Sequence, residues 1–398
     1  MTGKLSCTIN SLPDTGQRYR RYLVLAVLFL VSFKSYSFER YRTLCDTTFV
    51  SASLGYTKNI TITVPREWQE DLDQRFPLII IFDRQNQRSH QYILSAIDYL
   101  TSNEQMPSAV IVSVMSVQQY RFRETVHPQT DSSSLSEANE AFLFEELIPL
   151  MEKKYKAGKF RMLIGHSRYG YFATALLCKR SHELNAVIAL SPFYRQKNVN
   201  LKDSLHQLQK EAAETIYYEY GMGNDYPEDY QQLTEVLNNP PVGNLHTKGY
   251  CFPEADHNVT PGLIIGPALY DVFEFWSSVQ TSFLRNKQQE ANSLSALTAK
   301  ITEHYQASLN FSLGMLNGKG WDYYNDGLYE KAIAAWEMLL QSYPNFAEAY
   351  LYIADARKQS GKEFKDILKK FDSALKNSVM YSPEEKTDLN NERNALQN

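Results

Sequence analysis

The sequence predicts the α/β class: a mainly parallel, doubly wound sheet followed by a small all-α domain. Three observations carry this expectation. FPLIIIFD (76–83) and SAVIVSV (108–114) are continuous β-rich apolar runs, the pattern a strand shows when helices cover both faces of its sheet. Such runs alternate with helical patterns along the chain, as parallel crossovers require. At 398 residues the chain is longer than one hydrophobic core usually serves, so a second unit is expected.

Taken in order, the first element is a signal. Arg18, Arg20 and Arg21 precede the apolar run YLVLAVLFLVSF (22–33), and SYS (35–37) supplies small residues at the exit. Basic, apolar and small residues in that order describe a secretory signal peptide over 1–37. The run falls short of the roughly 20 residues that span a bilayer. The expectation is export to a periplasm or beyond; an uncleaved membrane tether and a buried strand are the alternatives.

The sheet domain is expected over 38–280. NITITVP (59–65) has period-two apolar spacing, and EANEAFLFEELIPLMEKKY (137–155) is the clearest helix. FRMLIG (160–165), NAVIALS (185–191), TIYYEYG (215–221) and HTKGYCF (246–252) continue the strands. A helical connector is expected over 281–312 and helical repeats over 313–398. There Gly320, Tyr323, Ala332, Trp336 and Pro344 fall close to the spacing of a tetratricopeptide helix pair, roughly 34 residues long. A weaker unit follows with Tyr350, Ala354, Gly361, Phe371 and Ala374, and SPEEKTDL (382–389) begins a capping helix. Two such units rarely stand alone, so they are expected to lean on the sheet domain or on SLSALTAKITEHYQASL (293–309).

Composition narrows the partners. A formal net charge of -4 lacks the concentrated Lys and Arg that phosphate binding needs, which sets nucleic acid aside. Cys7, Cys45, Cys178 and Cys251 include no C-x-x-C spacing, so neither a zinc site nor a disulfide framework is indicated, and no metal or cofactor is expected.

The chemistry sits in LIGHSRYGYFATALL (163–177), where a strand breaks at Gly165 and a helix begins. That is the context of a nucleophile elbow, which would expose the Ser167 hydroxyl at a sharp turn beyond the strand's carboxyl end. Strand and helix nearly touch at such a turn, so small residues are needed on both sides of the serine. Gly165 meets that need, Tyr169 does not, and Gly170 stands one residue later. The alternative is a serine that merely caps a helix.

A nucleophilic serine needs a base, and on this fold the chain order is serine, acid, histidine. His257, in CFPEADHNVTP (251–261), lies in a loop after the last strand and is the natural base. MGNDYPEDY (222–230) follows the strand TIYYEYG at the place for the acid. Asp225 is nearest the strand end, with Asp229 and Glu228 as alternatives that Pro227 could turn into helix-start acids. Asp256 adjoins His257, but loop neighbours rarely present both side chains to each other.

At this point the chain resembles the serine esterases of the esterase D and enterochelin-esterase type, which have the α/β-hydrolase fold. The resemblance rests on SASLGYTKNITITVPREWQEDLDQRFPLIIIFD (51–83), RFRETVHP (121–128), FEELIPLMEKKYKAGKFRMLI (144–164) leading into GHSRYG, ALSPFY (189–194) and the DHN around His257. It implies acyl transfer through a covalent serine ester, with His257 moving the proton. It also implies an oxyanion hole made by the backbone N–H groups of Arg168 and Arg84, although Arg84 stands where the family has Gly after Asp. The Arg168 and Arg84 side chains either face the cleft and favour an anionic group or are solvated. Two functions follow: an exported carboxylic-ester hydrolase acting on a small-molecule ester of a carbohydrate, siderophore or phenolic acid, or a catalytically inactive hydrolase-fold scaffold whose repeats engage a protein partner.

Overall fold

In the structure, a computed structural model that describes residues 40–69, 74–237, 243–287 and 294–397, eight strands form one sheet in the order β1-β2-β4-β3-β5-β6-β7-β8. The expected signal over 1–37 lies outside the described residues. The strands are β1 (Tyr41–Val50), β2 (Thr57–Pro65), β3 (Phe76–Ile81), β4 (Val110–Val114), β5 (Ala157–His166), β6 (Ala186–Leu190), β7 (Ile216–Met222) and β8 (Leu245–Cys251). β2 runs antiparallel to β1 and β4, and the pairs from β4 through β8 are parallel. This is the α/β-hydrolase fold that the motifs implied.

The apolar runs are buried on both faces because helices cover both. Ile79, Ile81 and Ile111 join one core layer, while Leu78, Ile80, Val110 and Val112 join the other. On the first face lie α1 (Gln87–Ser102) and the long α7 (Thr260–Arg285). The second face holds the segment Ser136–Ala141, Phe142–Leu147 and Ile148–Lys154, which together form α3, with α4 (Arg168–Lys179) and α5 (Leu201–Glu211). Short α2 (Gln118–Thr125) and α6 (Pro227–Leu237) complete this part. Because parallel strands all point one way, the loops after β3, β5, β7 and β8 gather at one edge.

The boundary expected at 280 falls inside α7. After α8 (Leu294–Tyr305) come α9 (Leu313–Asn325), α10 (Tyr329–Ser342), α11 (Ala347–Gln359), α12 (Lys365–Asn377) and α13 (Pro383–Gln397). The turns between paired helices carry Gly327 and Gly361, thirty-four positions apart and both at φ 73°. These helices share the core of the sheet part. The Trp276 indole N–H donates to the Asn310 carbonyl at 3.1 Å, and Asn185 Nδ2 donates to the Tyr305 carbonyl at 3.0 Å. Lys319, 1% exposed, donates to the carbonyls of Phe283 (2.9 Å), Leu284 (3.2 Å) and Asn286 (2.8 Å), closing the C-terminal end of α7 with a cation where the helix dipole is negative. No helix among the described residues is long and apolar enough to cross a membrane.

The shared core yields a test. Ending the chain after Arg285 would uncover Trp276 and Phe283, each fully buried, at about 1.5–3 kcal/mol apiece. The expected outcome is a melting temperature more than about 6 °C lower in calorimetry, or failure to fold. An unchanged melting temperature would mean that the tail is energetically separate.

Candidate active site

The break between β5 and α4 is a single residue. Ser167 adopts φ 59° and ψ −117°, a region that non-glycine residues avoid, so the chain reverses there in one step. Its backbone is held on three sides: the N–H donates to Leu190 O at 2.9 Å, and the carbonyl accepts from Tyr171 N (3.1 Å) and Phe193 N (3.0 Å). The turn is tight enough that a Cβ on Gly165 would lie 2.3 Å from the Tyr169 carbonyl oxygen, and one on Gly170 would lie 3.1 Å from the Gly165 carbonyl oxygen and from Pro192 Cα. The two small positions of the crossing are therefore 165 and 170.

Tyr169 is compatible with this turn because its side chain leaves the crossing and enters the core. The ring stacks on Phe82 with centroids 4.5 Å apart. Its hydroxyl accepts from Ser116 Oγ at 2.9 Å and donates to Glu124. Glu124 is fully buried and also accepts from Tyr56 OH and, at 2.8 Å, from Lys58 Nζ, itself fully buried. Burial holds the Lys58 ammonium below its ordinary pKa and the Tyr169 phenol well above its own. A carboxylate satisfied by three donors thus lies directly under the turn.

The loops after β7 and β8 meet at Gly223, where a Cβ would lie 2.0 Å from the Ala255 carbonyl oxygen; Asn224 N donates to that oxygen at 2.8 Å. This contact brings Asp225 to His257, with Oδ2 2.5 Å from Nδ1, while Oδ1 accepts from Gly223 N at 3.1 Å. The Asp225 carboxylate is mostly buried and the imidazole is about a third exposed. The ring of His166, the residue before Ser167, packs 4.4 Å from the His257 ring, and its Nε2 lies 3.0 Å from the His257 carbonyl oxygen. Among the described residues Ser167 Oγ and His257 Nε2 make no hydrogen bond, a separation common before substrate tightens such a pair.

The other candidates are engaged elsewhere. Asp229, on α6, pairs with Arg195 (3.1 Å) and Lys202 (3.4 Å), and Glu228 is solvated beside Arg195. Asp256 accepts from Asn258 N and Val259 N at 2.8 and 3.0 Å, shaping the entry to α7. Arg168 opens α4, where first-turn N–H groups have no intrahelical acceptor. Asp83, at φ 60°, precedes the Arg84 N–H expected at the oxyanion, and that N–H donates to Val114 O at 3.2 Å. Asp83 itself is clamped by Arg121, with Nε–Oδ1 2.8 Å and Nη2–Oδ2 2.6 Å. Sequence reasoning did not reach the Lys58–Glu124 pair, whose members are 66 positions apart. Cys45, Cys178 and Cys251 are free, and no group of three or more His, Cys, Asp or Glu among the described residues could hold a metal.

Residues 51–261 match the family model described as Putative esterase. Among solved structures, an IroE-like serine hydrolase from Shewanella oneidensis is 15% identical, aligns over 76% of this chain and 99% of its own, and has a TM-score of 0.59. An uncharacterised protein from Capnocytophaga ochracea is 16% identical, aligns over 89% of this chain and 99% of its own, and has a TM-score of 0.57. At such identities the likeness is one of fold. A search of curated proteins found no significant match.

Burial gives the site an acid limit. It pushes the His166 and His90 imidazoles down to about 4, with the nearby His257 adding to the effect at His166 and Arg84 at His90. In the unfolded chain both return to about 6.5. Between these values the unfolded state takes up protons that the folded state refuses, so stability is complete above about 6.5 and falls as the pH drops toward 4. Chemical denaturation across this range should show that decline, and His166→Asn should lessen it. A stability independent of pH from 7 to 4 would contradict the burial assigned to these rings.

Proposed function

The chain belongs to the Putative esterase family and is a carboxylic-ester hydrolase, and we propose that it works through Ser167, His257 and Asp225 by way of an acyl-enzyme. The observation that carries this reading is the pairing of His257 Nδ1 with Asp225 Oδ2 at 2.5 Å, on the same sheet edge as the strained turn at Ser167. A carboxylate on Nδ1 fixes the tautomer that leaves Nε2 as the base and stabilises the imidazolium formed when it takes a proton. Ser167 Oγ, losing its proton to Nε2, attacks the ester carbonyl; the Arg168 N–H, at the positive end of α4, meets the oxyanion. The imidazolium then protonates the leaving alcohol, and water repeats the cycle to release the acid.

The substrate class is a small-molecule ester of a carbohydrate, siderophore or phenolic acid. We assign the protein to the space beyond the inner membrane on the strength of the signal pattern over 1–37. The competing reading is an inactive scaffold whose repeat-like tail engages a protein partner. Two departures in the sequence favour it: Tyr169 where the elbow wants a small residue, and Arg84 where the family has Gly after Asp. Tyr169 no longer supports it, because its side chain leaves the crossing, and the occupied Arg84 amide remains its one support.

Ser167→Ala should abolish hydrolysis of an activated aryl ester. Asp225→Asn should lower kcat by up to roughly ten-thousandfold with the melting temperature unchanged, as for the acid of a triad elsewhere. Asp229→Asn, which loosens only partly exposed ion pairs, should stay within about threefold of wild type. If Asp225→Asn were as active as Asp229→Asn, Asp225 would have no part in the chemistry.

A further inference from the structure

Three arginines beside the site are neutralised by carboxylates. Arg84 forms a two-pronged pair with Asp46 (2.9 and 2.5 Å), Arg121 forms one with Asp83, and Arg195 lies against Asp229 and Glu228. Arg168, the residue after Ser167, has no carboxylate partner among the described residues. Its guanidinium is instead held between two aromatic rings, 4.7 Å from the centroid of Phe122 and 4.9 Å from that of Phe193. Burial first, and then the like charge of Arg121, holds its pKa below the ordinary arginine value, although it remains a cation.

The surroundings explain how the charge is held in place and what it faces. Phe193 is tied to the elbow through its N–H bond to the Ser167 carbonyl (3.0 Å), and its ring packs on Tyr226, which in turn packs edge-on against His257 at 5.7 Å. A guanidinium sandwiched in this way loses little freedom when it meets a ligand. Phe122 is 41% exposed, and Val259 and Leu263, just beyond His257, are 51% and 38% exposed. The elements that carry the site therefore present apolar surface and, at the residue after Ser167, a partly desolvated cation held by aromatic rings and not by a carboxylate, on a protein whose formal net charge is -4.

We propose that Arg168 is a specificity-determining residue that selects esters bearing an anionic group, a carboxylate or comparable oxyanion, on the acyl or the alcohol side of the scissile bond. The selection rests on the acyl-transfer reading of Ser167. The planar fork of Arg168 matches an oxyanion in two-pronged geometry, and no internal carboxylate has to be displaced first. At Arg84, by contrast, a substrate anion would have to displace Asp46. A neutral ester would leave the Arg168 charge unmet in a partly dry site.

The test compares two matched pairs of probes on the full-length protein. Mono-(4-nitrophenyl) adipate against 4-nitrophenyl hexanoate places the anion on the acyl side. 4-Acetoxybenzoate against 4-acetoxybenzamide places it on the alcohol side. The readout is the ratio of kcat/KM, anionic over neutral, within each pair, so that any change in shared chemistry cancels. In Arg168→Gln one of the two ratios should fall by about tenfold or more, the size expected for a hydrogen bond between charged groups. Arg168→Lys, which keeps the charge and loses the fork, should fall less. Added salt should lower that ratio in wild type and not in Arg168→Gln. Ratios unchanged in both pairs by Arg168→Gln would overturn the assignment while leaving the acyl-transfer reading intact. Inertness of the wild-type protein toward all four probes would remove that reading and this one together.

Discussion

The contact between the end of β5 and the start of α4 governs the site. A chain that leaves a strand and enters a helix through one residue can do so only where the two backbones nearly touch, and at Gly165 the space left for a side chain is occupied by the Tyr169 carbonyl. The turn forces Ser167 into a conformation that costs on the order of 1–3 kcal/mol. Three backbone hydrogen bonds at Ser167, to Leu190, Tyr171 and Phe193, offset that cost and keep the residue from relaxing. A serine held in such a turn is in the backbone conformation of a nucleophile elbow, which the proposed acyl transfer requires.

Beneath the turn the molecule keeps a buried ion pair where an all-apolar core would be simpler. Lys58 comes from β2 and Glu124 from α2, and Tyr169 ties both to the first turn of α4. Buried pairs of this kind seldom add stability over an apolar filling, because desolvation consumes the attraction; their value lies in fixing one geometry. Here that geometry includes the neighbouring Asp83–Arg121 clamp, so the loop after β3 and the elbow are held by adjoining polar contacts. Change on one side of the site would be transmitted to the other through charge and hydrogen bonding as well as packing.

Much of the fold was legible because burial leaves a mark in the sequence. β3 and β4 are covered on both faces and read as unbroken apolar runs, and the loops after β5, β7 and β8 follow from their strands. The first strand, YRTLCDTTFV, gave no such mark: it lies at the sheet edge with most of its residues at least partly exposed. Asp225 reads in the sequence as the acidic residue nearest its strand end, and it is the carboxylate that His257 meets. The bond from the Arg84 amide to Val114 O is not legible in the sequence, which does not display the left-handed turn at Asp83. Tyr169 departs from the elbow pattern for a related reason: the motif records residue size, whereas the turn depends on where the side chain goes, here onto Phe82. Lys58 and Glu124 were out of reach, since a lysine in a strand reads as a solvent-facing residue until its partner is known.

The proposed chemistry requires that this strained turn make Ser167 reactive. The full-length protein, treated with a fluorophosphonate and digested for mass spectrometry, should carry one adduct, on the peptide containing Gly165–Gly170, with Ser167 as the modified residue. A folded protein that takes up no label, or is labelled at a different serine, would contradict the central claim.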